Sequence, residues 1–221
     1  ERRGDIDLGR AQQWNPGVPL PESINTTHIT VTDDDGNVVA MTQTINSTFG
    51  ARIIIPGTGI IPNNYMYIFD PHPGHNQSIE PGKRVTSSMS PVMALKDGKP
   101  ILALGLPGGL RIFGSAMQGL MAVIDHGMSV QEAVEAPRLW TQGQAVELEP
   151  AFPQDVRDAL AQKGHDIMIS PHIGGGMNAI QFSDDGTLTG AACWRADGTP
   201  VALAGGLARE GVRFWPEKAK I

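Results

Sequence analysis

Two hydrophobic periods alternate along the chain from residue 26 onward, and the places where one gives way to the other mark its elements. His28 to Thr32 and Asn37 to Thr44 alternate or run β-branched on either side of Asp34-Asp35-Gly36-Asn37, which is hairpin-turn chemistry. Short apolar runs follow, Ile53 to Ile55 and Ile60 to Ile61, broken by Pro56-Gly57 and Pro62; residues 70 to 84 then read as a polar surface loop. Pro91 to Leu95 and Pro100 to Leu106 predict two more strands about Lys96-Asp97-Gly98-Lys99. The period then switches. Ile112, Phe113, Ala116, Met117, Leu120, Met121 and Ile124 fall at helical spacing and predict a helix over 110–124 with a broad apolar face. Ser129 with Glu132 three residues later forms a capping box for a second helix that stops before Pro137. A third runs from Pro153, as first-turn proline, to Gly164. Met177 to Phe182 and Thr187 to Cys193 make a last hairpin about Asp184-Asp185-Gly186. Strands, then helices, then strands suit sheets packed face to face with helices outside, an α+β layered sandwich.

The pattern also divides the chain. Residues 1–25 carry Pro16, Pro19 and Pro21 with little apolar periodicity and read as an extended connector. Residues 26–195 form the core unit. Residues 196–221, with Phe214, Trp215 and Pro216, read as a C-terminal extension that covers an apolar patch or contacts a partner subunit. Because the chain opens at Glu1 in charged sequence without methionine, it reads as a piece of something larger.

Composition narrows the functional classes. With 17 basic against 23 acidic residues and a formal charge of −6, nucleic acid is a poor partner. No apolar run is long enough to span a membrane, and Glu1-Arg2-Arg3 does not open a signal peptide. The single cysteine, Cys193, excludes an internal disulfide and reads as core. His72 and His75 sit three apart in a Pro-Gly loop, but no third ligand type clusters with them, so no metal is expected, and no cofactor either.

Three elements carry candidate chemistry, and each has an ordinary reading. Thr26-Thr27 entering a strand is common β-propensity. Ser87-Ser88-Met89-Ser90-Pro91 is a loop with turn hydroxyls. Gly105-Leu106-Pro107-Gly108-Gly109 between strand and helix is a turn, although a Gly pair there frees backbone N–H groups for an anion. His28 points away from the Thr27 face and reads as packing, and Gly174-Gly175-Gly176 reads as a flexible turn.

Taken in order, four motifs resemble the small subunit of the γ-glutamyltransferase family: TTH at 26–28, DxDGNxVxxTxTxNxxFG from Asp33 to Gly50, KRxxSSMSP from Lys83 to Pro91, and GxPGGxRI from Gly105 to Ile112. The resemblance implies an N-terminal-nucleophile hydrolase with a four-layer αββα sandwich, of which this chain supplies the nucleophile-bearing part. It implies self-cleavage between Asn25 and Thr26, after which Thr26 is nucleophile and its new α-amino group the base. An α-amine with a pKa near ~8 is partly neutral at pH 7 and takes up the hydroxyl proton. By the same resemblance Thr44 steadies Thr26, Asn46 contacts the donor substrate, Ser87 and Ser88 bind its carboxylate, and Gly108 and Gly109 provide the oxyanion hole through their N–H groups. The implied partner is a large subunit from the same precursor, in a heterodimer or a heterotetramer, with a small-molecule amide as substrate. Periplasmic or secreted location is what the family suggests, with the cytoplasm left open.

Two positions depart from the family pattern NNQMxDF, which here reads Asn63-Asn64-Tyr65-Met66-Tyr67-Ile68-Phe69. Tyr65 replaces the Gln and Ile68 the Asp that hold the donor's α-ammonium in the family. Without that carboxylate a buried ammonium would lack its countercharge, at a cost of several kcal/mol. A glutaryl-like donor without the amino group suits Ile68 better, which resembles the cephalosporin-acylase branch. The alternatives are a true γ-glutamyltransferase or glutathione hydrolase with shifted amino recognition, and an uncleaved, inactive homologue acting as an assembly or binding protein.

Overall fold

The computed structural model describes residues 7–11, 26–196 and 198–203. Asn25, most of the connector and residues 204–221 of the predicted C-terminal extension therefore lie outside the described residues. In chain order the elements are β1 (Thr26–Thr32), β2 (Val38–Thr44), a single 3-10 turn (Tyr65–Ile68), β3 (Val92–Lys96), β4 (Lys99–Gly105), α1 (Arg111–Ile124), α2 (Val130–Glu135), β5 (Leu139–Thr141), β6 (Val146–Leu148), α3 (Gln154–Gln162), β7 (Ile167–Ile169), β8 (Asn178–Phe182) and β9 (Leu188–Ala192).

β1 and β2 form an antiparallel pair in which Thr26 lies opposite Thr44 and His28 opposite Thr42. Asp33 closes the turn: its carboxylate accepts from the Asp35 and Asn37 N–H groups and from the Asn37 amide, and those bonds hold its pKa below the usual range. The alternation of the hairpin is inverted relative to a typical half-buried sheet. Thr26, His28 and Thr30 face the protein, whereas Ile29, Val31, Val39 and Met41 are each about half exposed.

The second sheet has the order β3-β4-β8-β9. β3 and β4 join through Asp97 (φ 52°) and Gly98 (φ 77°), a two-residue turn with both residues left-handed, as a hairpin requires. β8 then pairs antiparallel to β4, and Gly105 meets Asn178 at the end of the ladder. One face of this sheet packs against β1 and β2, and the other against α1 and α2. On the helix side Leu102, Leu104, Leu106, Ile112, Ala116, Val130, Val134, Met177, Ala179 and Ala191 are buried and form the apolar core. Helices, sheet and hairpin thus make three stacked layers, and the mixed α+β class read from the sequence is the observed one.

Several local expectations need correction. The broad apolar face read on the first helix is split: Ile112 and Ala116 are buried, but Phe113 and Met117 are more than half exposed or close to it, and Met121 and Ile124 are exposed as well. The face that meets the sheet mixes Ile112, Leu120 and Val123 with small residues such as Ala116 and Gly119, where Gly119 lets Met177 and Leu104 approach the helix closely, while Gly114 makes room for Trp140 of β5. Pro153 caps α3 from outside and is not its first-turn residue, and α3 buries none of its side chains. β5, β6 and β7 make a third sheet that the sequence reading missed, each strand only three residues long. The Ile53 to Ile61 runs form loop and are largely exposed. The capping box is as read: Ser129 Oγ accepts from the Glu132 N–H, and the Glu132 carboxylate accepts from the Ser129 N–H.

Within the connector, residues 7–11 dock on the end of α3. The Ala11 N–H donates to Lys163 O at 2.9 Å, and Lys163 Nζ donates to Leu8 O at 2.8 Å.

Candidate active site

Thr26 heads β1, half-buried, directly across the ladder from Thr44. Thr44 Oγ1 accepts from the Asn46 N–H at 2.8 Å, which turns the chain just past β2 into a left-handed Asn46 (φ 72°). Asparagine tolerates that region better than most side chains, and here it puts a buried amide beside the strand end. The Asn46 amide donates to Asn64 Oδ1 at 3.1 Å; the same oxygen accepts from the Ser47 N–H, and Asn64 Nδ2 donates to Ser47 Oγ. Asn64 therefore couples the Thr44–Asn46 bend to the 3-10 turn that carries Tyr65 and Ile68, both half-buried. In the sequence Asn64 is one residue of the Asn63–Phe69 motif, and nothing in that motif marks it as a link between the two segments.

Gly108 and Gly109 follow β4 and precede α1, with φ of 138° and 58°. Their carbonyls accept from the Arg111 and Ile112 N–H groups at the head of α1. Among the described residues neither glycine N–H donates to a protein acceptor. A Cβ on Gly108 would lie 2.6 Å from Gly174 Cα, so only glycine permits the approach. The Gly175 N–H donates to Pro107 O at 2.7 Å, so Gly174-Gly175 is a fixed backing for this loop and not a flexible turn. Ser88 Oγ donates to Gly109 O at 2.7 Å, which brings the Ser-Ser segment against the Gly-Gly loop. Ser87 is exposed and its Oγ accepts from the Met89 N–H, so its own proton stays available to a ligand, while Ser88 has given its proton to Gly109.

A buried ionic cluster holds the Gly174-Gly175 backing in place. Arg138 donates to Ile173 O, Gly175 O and Val134 O, and Glu149 accepts from the Ile173 and Arg138 N–H groups and from Arg195. Burial lowers the Arg138 pKa to about 10, with Arg195 adding to the effect, yet it remains a cation at neutral pH. For Glu149 burial pushes upward, but hydrogen bonds from Arg195 and from the Ile173 and Arg138 N–H groups prevail and hold it below its usual value. Arg195 paired with the Glu149 carboxylate, and Arg138 with its guanidinium on three backbone carbonyls and Cys193 Sγ, meet the conditions under which buried charge is tolerated. None of these three residues was singled out from the sequence, because their partners lie far along the chain.

The pieces define a class of site: a threonine at the head of a strand, a second threonine across from it, and a glycine pair with unengaged N–H groups, on the layered fold of the N-terminal-nucleophile hydrolases. Comparison with known proteins then fixes the family. The gamma-glutamyltranspeptidase family profile matches residues 1–203, and the chain belongs to that family. It is 62% identical over 214 residues to the acylase ACY 1 proenzyme of Pseudomonas sp. strain SE83, covering 97% of this chain and 38% of that protein. The glutathione hydrolase proenzyme of Bacillus subtilis strain 168 is 38% identical over 180 residues, 80% of this chain and 31% of its own length. Among solved structures, cephalosporin acylase from Bacillus halodurans superposes with a TM-score of 0.80 at 33% identity, covering 93% of this chain and 38% of that one. The chain thus spans less than two-fifths of the length of these relatives.

Proposed function

We propose that this chain is the nucleophile-bearing part of a self-processing amidohydrolase or acyltransferase that forms an acyl-enzyme on Thr26. The observation that carries the reading is the pairing of Thr26 with Thr44 at one strand end, together with a Gly108-Gly109 loop whose N–H groups have no protein acceptor among the described residues. In the first stage Thr26 Oγ1 attacks the Asn25 carbonyl, the Asn25-Thr26 C–N bond breaks so that the amide becomes an ester and the α-amine is freed, and water then hydrolyses the ester to release the Thr26 hydroxyl and the Asn25 carboxylate. In the second stage that amine takes the Thr26 hydroxyl proton as the oxygen attacks the substrate amide. The two glycine N–H groups receive the oxyanion, and the proton passes to the departing amine. Water or an amine then releases the acyl group. The domain division read from the sequence belongs to the same proposal: a connector over 1–25, a core over 26–195 and an extension beyond it.

The donor in this reading is a glutaryl-like acyl amide. Ile68 offers no countercharge to an α-ammonium, and the relatives include proteins named as an acylase and a cephalosporin acylase. Resemblance to glutathione hydrolase proenzymes supports a second reading, a γ-glutamyl donor. The test is release of a chromogenic anilide from glutaryl and from γ-glutamyl compounds by the purified full-length protein. We expect the glutaryl compound to be turned over ~100-fold faster or more, the order of effect of an unpaired buried charge; faster turnover of the glutamyl compound would establish the second reading.

The partner in this reading is the remainder of the same precursor, the large subunit. Its docking surface includes the outward face of the β1–β2 hairpin, where Ile29, Val31, Val39 and Met41 are half exposed on a two-stranded sheet that is marginal by itself.

A further inference from the structure

We propose that His28 is a positioning residue for acyl transfer: its imidazole, seated on Gly105, sets the gap between the Thr26 strand and the Gly108-Gly109 loop. The inference rests on the reading of Thr26 as nucleophile and the two glycine N–H groups as oxyanion donors.

The geometry starts from the alternation of β1. Thr26, His28 and Thr30 share the inward face, so His28 is the first inward neighbour of the nucleophile, and it is only 7% exposed. Its ring lies flat on the last residue of β4. A Cβ on Gly105 would fall 2.2 Å from Cε1, 2.5 Å from Nδ1 and 2.6 Å from Nε2. No side chain larger than hydrogen fits there, so the ring rests against backbone. From that contact the chain needs only Leu106 and Pro107 to reach Gly108. The imidazole is therefore the spacer between the strand that carries the nucleophile and the strand that delivers the oxyanion loop.

Hydrogen bonds fix the ring in its plane. Thr30 Oγ1 donates to Asn178 Oδ1 at 2.9 Å, so Thr30 accepts from His28, and Nε2, 3.0 Å away, carries the proton. Nδ1 is then the acceptor for the Thr42 hydroxyl at 2.8 Å. Asn178 closes the circuit by donating from Nδ2 to His28 O at 2.9 Å, and Asn178 is the register partner of Gly105 on β8. One asparagine thus binds the β1 backbone at His28, the β1 side chain at Thr30, and the strand next to Gly105. Burial pushes the His28 pKa down to about 4, so the ring is neutral at working pH and this single tautomer satisfies every partner. An aliphatic residue would fill the same volume without fixing the distance or the plane. Nucleophile and oxyanion donors act on one carbon atom, and a misplacement of ~1 Å costs on the order of 10²-fold in rate.

The experiment uses the full-length self-processing protein with His28→Ala, His28→Asn, Gly105→Ala and the His28→Ala/Gly105→Ala double variant, and Thr26→Ala as control. We expect His28→Ala to lower kcat ~10- to 100-fold with KM within about threefold, because the groups read as binding substrate sit on other segments. His28→Asn should show the same split between kcat and KM, more mildly, and self-cleavage should slow in parallel in folded protein. Gly105→Ala should be as damaging as His28→Ala. The double variant should be no worse than the worse single, because the added methyl enters the space the ring has left. Wild-type kcat in folded His28→Ala and His28→Asn would overturn the proposal, as would a rise in KM alone or losses that multiply in the double variant. If Gly105→Ala does not fold, the two His28 variants decide by the same kcat criterion. An active Thr26→Ala would instead overturn the nucleophile reading, a result independent of how His28 behaves.

Discussion

The two faces of the β3-β4-β8-β9 sheet are built on opposite principles. Toward α1 and α2 the contact is aliphatic, with Leu102, Leu104, Leu106, Ile112, Val130 and Val134 all fully buried. Toward the β1–β2 hairpin it is polar where Gly105 and Asn178 meet His28 and Thr30, with Thr42 holding the His28 ring from the neighbouring strand. Apolar burial stabilises without direction, at about 25 cal/mol per Å², and tolerates exchange of one aliphatic residue for another. A satisfied polar layer contributes only ~1 kcal/mol per hydrogen bond, but it fixes distance and orientation. The face on which the proposed chemistry sits is the directional one, and the apolar residues of the hairpin are turned outward.

The contrast is open to test, beginning with the largest effect. Arg138→Met should destabilise by about 3–5 kcal/mol in urea unfolding, because it leaves the Ile173 and Gly175 carbonyls, which flank and form the Gly174-Gly175 backing, without their guanidinium donor in a buried site. It should also lower kcat in the protein that remains folded. Leu104→Ala, in the aliphatic face, should cost roughly 2–5 kcal/mol by cavity formation while kcat per folded molecule stays near wild type; a large kcat loss there would erase the distinction between the faces.

A pH titration sharpens the polar side. His28 in the unfolded chain titrates near ~6.5, and in the folded protein at about 4. Between those values the unfolded state binds a proton that the folded state refuses. Stability is therefore full above about pH 6.5 and falls as the pH drops toward 4, by about 3 kcal/mol at most. His28→Asn should flatten that part of the curve in thermal melts recorded across the range. The smallest effect belongs to the outward hairpin face. Val39→Thr should stay within about 0.5 kcal/mol in this chain alone. A larger loss in the full-length precursor would show the face covered there, and an equal one would show it bare.

Local signals read well from the sequence because their partners are near. The Asp97-Gly98 turn, the Ser129–Glu132 box and both flanking hairpins depend on residues a few positions apart, and the structure has them where expected. The apolar spacing of α1 reports amphipathicity without saying which side meets the sheet; Ile112, Ala116, Gly119 and Leu120 face the core, and Phe113 and Met117 lie outside. Strands of three residues are too short to show a period. In the candidate site, Thr26, Thr44, Asn46, Ser88, Gly108 and Gly109 lie on motifs that the sequence displays, and the structure brings them onto adjoining segments. Their supports were not legible: Glu149 meets Arg195 across 46 positions and Thr30 meets Asn178 across 148, and no local pattern encodes either.

The central claim is that Thr26 becomes a nucleophile by cleavage of the bond before it. The most direct measurement is intact mass with N-terminal sequencing of the purified full-length protein, wild type beside Thr26→Ala. The account predicts two chains in the wild type, one beginning Thr-Thr-His, and a single uncut chain in the variant. A wild-type protein that stays whole, or a new N-terminus at any other residue, would contradict it.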